Sequence, residues 1–204
     1  MGVRKLVEVW DGKDLIKENI SFLKKPTKSV NLPYSDNIKL ILNDLLDTYR
    51  TITCAGIAAN QIGYDKRIFI GMMKDDEKDE ESNPPETIGN PHADNYEFYI
   101  NPQIDYCTNK SFQEGEEGCL SIPEVRLITE RYDKIKVRYF NAEGKKIVKP
   151  MTGFLSRLFQ HELDHLNGVL MVENSKIKSV YRISDNKNID KLYLDLSKQL
   201  QSFL

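Results

Sequence analysis

Apolar positions recur at helical spacing in three stretches of this 204-residue chain and alternate with polar ones in several others. Ile38, Ile41, Leu42, Leu45 and Tyr49 fall on one face and predict a helix over about 36–50, with Ser35 placed to cap it. Phe154, Leu158, His161 and His165 stand at i, i+4, i+7 and i+11, so a second helix carries two histidines at the end of its apolar stripe. Asn167-Gly168 stops it. A third amphipathic helix is predicted over 187–203 from Ile189, Leu192, Leu196, Leu200 and Phe203. Segments 67–72 and 97–100 read as strands, and so does 169–172. Ile135, Val137 and Tyr139 alternate with Lys134, Lys136 and Arg138 before Asn141-Ala142-Glu143-Gly144 turns the chain into 145–148, a hairpin. The expected fold is α+β: mostly antiparallel strands around a central helix that bears the histidines, with a C-terminal helix, in a single catalytic domain over 1–204.

One segment breaks the pattern. Residues 75–81 hold six acids and one lysine, followed by Asn83-Pro84-Pro85, so 75–95 reads as an acidic, proline-bearing loop insertion. Its local charge of −5 leaves the rest at +3 against a whole-chain charge of −2, too weak a basic balance for electrostatic nucleic-acid binding. Three cysteines without a Cys-x-x-Cys do not make a disulfide framework and fit a reducing compartment. No signal-peptide, transit-peptide or membrane-spanning pattern appears, and the expected location is cytoplasmic.

The chemistry concentrates in Gln160-His161-Glu162-Leu163-Asp164-His165. On a helix, positions i and i+4 share a face, so His161 and His165 can close on one metal ion. Glu162 beside them can take a proton from a water that the ion activates, which is hydrolytic chemistry. A catalytic ion of this kind needs a third protein ligand. The longer protease pattern would put a histidine where Met171 stands, and Glu173 lies beyond Gly168, which leaves His92 and the cysteines. Cys119 stands out in the glycine-flanked Glu116-Glu117-Gly118-Cys119-Leu120-Ser121, and 54–63 forms a small-residue run where backbone approaches something closely, ending near Gln61.

Gly56-Ile57-Ala58-Ala59-Asn60-Gln61, Glu117-Gly118-Cys119-Leu120-Ser121 and Gln160 to Leu166 resemble, in order and spacing, the three signature motifs of the peptide deformylases. The resemblance implies that Cys119, His161 and His165 bind one divalent metal, usually Fe2+ in the family, with Zn2+, Ni2+ or Co2+ also accommodated. It implies that Glu162 is the general acid/base, that the Gln61 side chain and the Leu120 N–H hold the oxyanion, and that Glu117 pairs with Arg131 to brace the site. The implied reaction removes the formyl group from the N-terminal methionine of nascent peptides, near the ribosome, releasing formate. Gly56, Phe154 and Leu158 are expected to line the substrate groove, the last two continuing the His161 face toward the helix N-terminus.

Departures from the family pattern, Cys54 and Ala55 at the first two motif positions and Asn60 before Gln61, remove no expected ligand but bear on the shape of the groove. Two other readings compete. A zinc endopeptidase would share the His-Glu-x-x-His helix yet leave Cys119 unexplained, and a metal-bound structural module would give Glu162 no task.

Overall fold

The computed structural model describes residues 2–11, 13–75 and 89–182. The expected C-terminal helix, and all of the acidic insertion except Asp75 and 89–95, lie outside the described residues. In chain order the elements are α1 (Lys17–Leu23), α2 (Asp36–Thr51), β1 (Gly56–Ala58), β2 (Ile68–Gly71), β3 (Glu97–Cys107), β4 (Phe112–Cys119), β5 (Ile122–Tyr132), β6 (Lys134–Phe140), β7 (Lys146–Thr152), α3 (Gly153–Leu166) and β8 (Ile177–Arg182). The strands form two antiparallel sheets, one in the order β1-β2-β3-β6-β7 and one in the order β4-β5-β8. The fold is α+β, with α3 packed against strands of both sheets.

Ser35 caps α2 by accepting from the Ile38 N–H at 3.4 Å, and the stripe Ile38, Ile41, Leu42, Leu45 and Tyr49 is buried against β1 and β2. The β6–β7 hairpin keeps Ile135, Val137 and Tyr139 inside. β7 ends its sheet, and Lys146, Lys149 and Pro150 make it a poor template for another chain.

Helix α3 is buried on nearly every side. Phe159 sets its edge against the stacked Phe69–Tyr99 pair, whose centroids are 4.3 Å apart, and so fixes one face on the larger sheet. On the β5 side, Gln160 accepts from the Tyr132 N–H and donates to the Tyr132 carbonyl. The C-terminal end closes as a Schellman turn: the Val169 N–H reaches the Asp164 carbonyl and the Gly168 N–H that of His165. Gly168 has φ +76°, and a Cβ there would come 2.5 Å from the Lys24 carbonyl oxygen, so only glycine fits.

The structure corrects the strand expected over 169–172. Met171–Glu173 forms a 3-10 turn instead, with Leu170 at its N-terminal end; Leu170 and Met171 are buried, and Glu173 caps the Leu170 N–H at 2.8 Å. Five strands and helices went unpredicted: α1, β1, β4, β5 and β8.

Candidate active site

A cleft of about 470 Å³ opens between segments at the ends of the two sheets. Thr53 to Gly56, leading into end strand β1, form one wall, and Glu116 to Leu120, on end strand β4 and the turn after it, form the other. Leu158, His161 and Glu162 of α3 line it too.

Cys119 arrives where the β4–β5 register slips, Gly118 facing Arg126 while Cys119 already faces Ile122. That tight turn aims its sulfur at α3. The ligand atoms of Cys119, His161 and His165 all lie within 4.8 Å of one another, and all three residues are buried. Cys119 Sγ is 3.3 Å from His165 Nε2. His92 and Cys54, considered from sequence, are not part of this group.

The imidazoles are oriented from behind. His161 Nδ1 meets Glu117 Oε2 at 2.9 Å, which leaves Nε2 to face the sulfur and any ion. Glu117 in turn receives both prongs of Arg131, Nε and Nη2 at 2.9 Å each, and Arg157 Nη1 at 3.0 Å. Arg131 continues to Asp164, one residue before His165. At the other ring, Asn60 Nδ2 donates to the His165 carbonyl at 2.7 Å. The Glu117–Arg131 pair expected from sequence is therefore present, but Arg157, Asp164 and Asn60 were given no part. Arg157 had a readable signal, one turn before His161 on the same helix face.

Burial alone would push the Cys119 thiol up, yet His165 and His161 outweigh it and lower it to about 5. Burial opposes charge on His161 as well, and the Cys119 and Glu117 partners still raise it to about 10. Both shifts favour negative charge on the Cys119 sulfur beside the imidazoles. A divalent cation satisfies the same negative charge, and a thiolate with two imidazoles is a donor set that first-row divalent metals accept, so the residues fit such an ion.

Glu162 is 3% exposed, and its Oε2 has no hydrogen-bond partner among the described residues. Burial raises its carboxyl to about 6 despite the neighbouring histidines. Gly56 makes room for it, because a Cβ there would fall 2.8 Å from Glu162 Oε1 and 2.9 Å from Leu158 Cδ1. The Gln61 amide is fixed in orientation: its Oε1 accepts from the Ala58 N–H at 2.9 Å, which turns Nε2 toward Ser121 Oγ (3.3 Å) and Cys119 Sγ (3.6 Å). Leu120, Phe154 and Leu158 line the cleft with Gly56. Cys54 lines it too, with its thiol pushed up to about 12 by burial and by Glu162, so it is a neutral wall.

A buried thiolate and two imidazoles converging beside an unpaired carboxylate, at the floor of an open cleft, define a metallohydrolase-type site. The profile of the polypeptide deformylase family matches residues 13–181, and the chain belongs to that family. It is 34% identical to peptide deformylase 1 of Bacillus subtilis over 169 residues, covering 83% of this chain and 92% of that protein. The peptide deformylase of Thermotoga sp. (strain RQ2) is 33% identical over 151 residues, 74% of this chain and 79% of that protein. Among solved structures, a peptide deformylase from Legionella pneumophila superposes with TM-score 0.67 at 26% identity and 98% coverage of both chains. A class I type b peptide deformylase from Acinetobacter baumannii with Met-Ala-Ser bound gives TM-score 0.66 at 30% identity, covering 85% of this chain and all of that one.

Proposed function

We propose that this chain removes the formyl group from N-formyl-methionyl peptides, and that Cys119, His161 and His165 hold one divalent ion as its only protein ligands. The observation that carries the reading is the convergence of those three donors beside Glu162, whose free oxygen is buried in the same cleft. Held by Cys119, His161 and His165, such an ion would supply Lewis acidity and lower the pKa of water toward about 7. Glu162 takes the proton of the attacking water and passes it to the leaving amine nitrogen as the formyl C–N bond breaks, giving formate and a free N-terminal methionine. The Gln61 Nε2–H and the Leu120 N–H stabilise the charge that develops on the formyl oxygen, Gln61 without reorganisation because Ala58 already fixes its amide.

The peptide lies extended between the Thr53–Gly56 and Glu116–Leu120 walls, where end strands offer backbone partners. Its methionine side chain packs among Gly56, Phe154 and Leu158. Support comes from the Acinetobacter relative, whose bound tripeptide begins with the methionine that this reaction leaves. The donor set suits Fe2+, Zn2+, Ni2+ and Co2+, and Fe2+, usual in the family, is the ion assigned in the cell. The substrates are nascent chains near the ribosome in the cytoplasm, met without direct nucleic-acid binding; a net charge of −2 supports this. Among the described residues no helix is long and apolar enough to cross a membrane. We read the described residues as one catalytic domain.

Formate release from formyl-Met-Ala-Ser, set against cleavage of internal bonds in unformylated peptides, tests this reading. Formate without internal cleavage is expected. Internal cleavage would favour an endopeptidase, and neither activity in the ion-loaded protein would reduce the site to a structural one.

A further inference from the structure

The two proposed oxyanion donors reach the cleft from separate sheets: Gln61 follows β1 of the larger sheet, and Leu120 sits in the turn that joins β4 to β5 of the smaller. One stretch of backbone outside both sheets ties these two segments together. The Val7 N–H donates to the Gln61 carbonyl at 2.7 Å, and two residues on the Val9 N–H donates to the Ser121 carbonyl at 2.9 Å. Amides two apart on an extended chain point the same way, so the stretch acts as a ruler of at most about 7 Å between those carbonyls.

The ruler is itself anchored at both ends. Upstream, the Gly2 and Arg4 N–H groups donate to Asp44 Oδ1 (3.1 Å) and Thr48 Oγ1 (2.9 Å) on α2. Downstream, Asn19 Nδ2 donates to the Glu8 carbonyl at 2.7 Å and the Ile16 N–H to the Val9 carbonyl at 2.9 Å, fixing the stretch to α1 and the turn before it. Its side chains divide accordingly. Leu6 and Glu8 line the cleft, whereas Val7 and the fully buried Val9 pack into the apolar cluster that contains Cys119.

We propose that residues 6–9 form a positioning strap for the reaction: through the Val7 and Val9 amides they set the spacing between the Gln61 side chain and the Leu120 N–H, and so the geometry of the oxyanion site. The strap touches no reacting atom. Its effect on rate passes through Gln61, and this inference rests on the oxyanion role assigned to Gln61 above.

A double-mutant cycle in the ion-loaded enzyme tests it. Replacing the amide between Leu6 and Val7 by an ester, in protein assembled from a synthetic amino-terminal segment, removes the Val7 N–H and otherwise only weakens the Leu6 carbonyl as an acceptor. Val7→Pro removes the same donor genetically, and Val7→Ala keeps it while trimming the side chain. The strap predicts that the ester lowers kcat for formate release about tenfold, with KM and ion content nearly unchanged, and that Val7→Ala stays close to wild type. In a Gln61→Ala background the same ester should change kcat by less than about twofold, because the group it positions is gone. An equal fall in both backgrounds, or no fall in the wild-type background, overturns the strap alone. If Gln61→Ala itself leaves kcat unchanged, the oxyanion assignment falls and the strap's role with it.

Discussion

Arg131→Ala isolates the support behind the metal site. The side chain is 8% exposed and that of Glu117 4%, so the pair is shielded from solvent. Removing the guanidinium takes two 2.9 Å bonds from Glu117 and the bond to Asp164, leaving Glu117 with Arg157 at 3.0 Å and His161 at 2.9 Å. Severing a buried pair costs about 3–5 kcal/mol, and the surviving Arg157 contact puts this case near the lower end, about 3 kcal/mol. For a chain of this size that lowers the unfolding midpoint by about 6–12 °C. Glu117 also holds His161 Nδ1, and a loosened carboxylate should weaken ion affinity by about 10- to 100-fold. Thermal unfolding and competition with a chelator read the two effects separately. Arg131→Lys restores charge but not the two-pronged bond and should recover only part of each. A midpoint and an ion affinity both indistinguishable from wild type would show that the network does not brace the site.

Glu162→Gln should keep its ion while kcat falls by about 10²- to 10⁴-fold, and loss of the ion would instead make Glu162 a ligand. Gly56→Ala places a methyl 2.8 Å from Glu162 Oε1 on a strand paired to β2, so kcat should fall by about 10- to 100-fold; full activity would show that Glu162 tolerates displacement. Asp44 is buried, which opposes its charge, but the Tyr64 hydroxyl at 2.6 Å and the Gly2 N–H hold its carboxyl below the ordinary 3.8. A depressed native pKa gives stability that is present above about 3.8 and lost as pH falls below it, so Asp44→Asn should flatten the acid limb of a stability profile; parallel limbs would refute this.

The sequence was legible where one physical cause dominated. Helix α2 and the β6–β7 hairpin show clean periodicity because one face of each is buried and the other is wet, and the His-Glu-x-x-His spacing is a property of one helix. Strand β4, with the sequence Phe-Gln-Glu-Gly-Glu-Glu-Gly-Cys, hid because its burial follows charge rather than hydrophobicity. Glu117 is buried by its cations, and Gly115 and Gly118 are small because the Arg157 and Arg126 guanidiniums lie over them, where a Cβ would collide. No local pattern encodes such contacts, since their partners lie 8 to 42 residues away. The same holds for Asn60, which reads as a departure in its motif and proves to hold the end of α3 across 105 residues. Segment 169–172 misled because four apolar residues in a row fit a buried strand or a helical turn equally well.

Titrating ion-free protein with Fe2+ under anaerobic conditions, while formate release from formyl-Met-Ala-Ser is followed, shows whether one ion on three protein ligands drives deformylation. The predicted curve rises from zero and levels at one ion per chain. Formate release before any ion is added, or a plateau that needs two ions per chain, would contradict it.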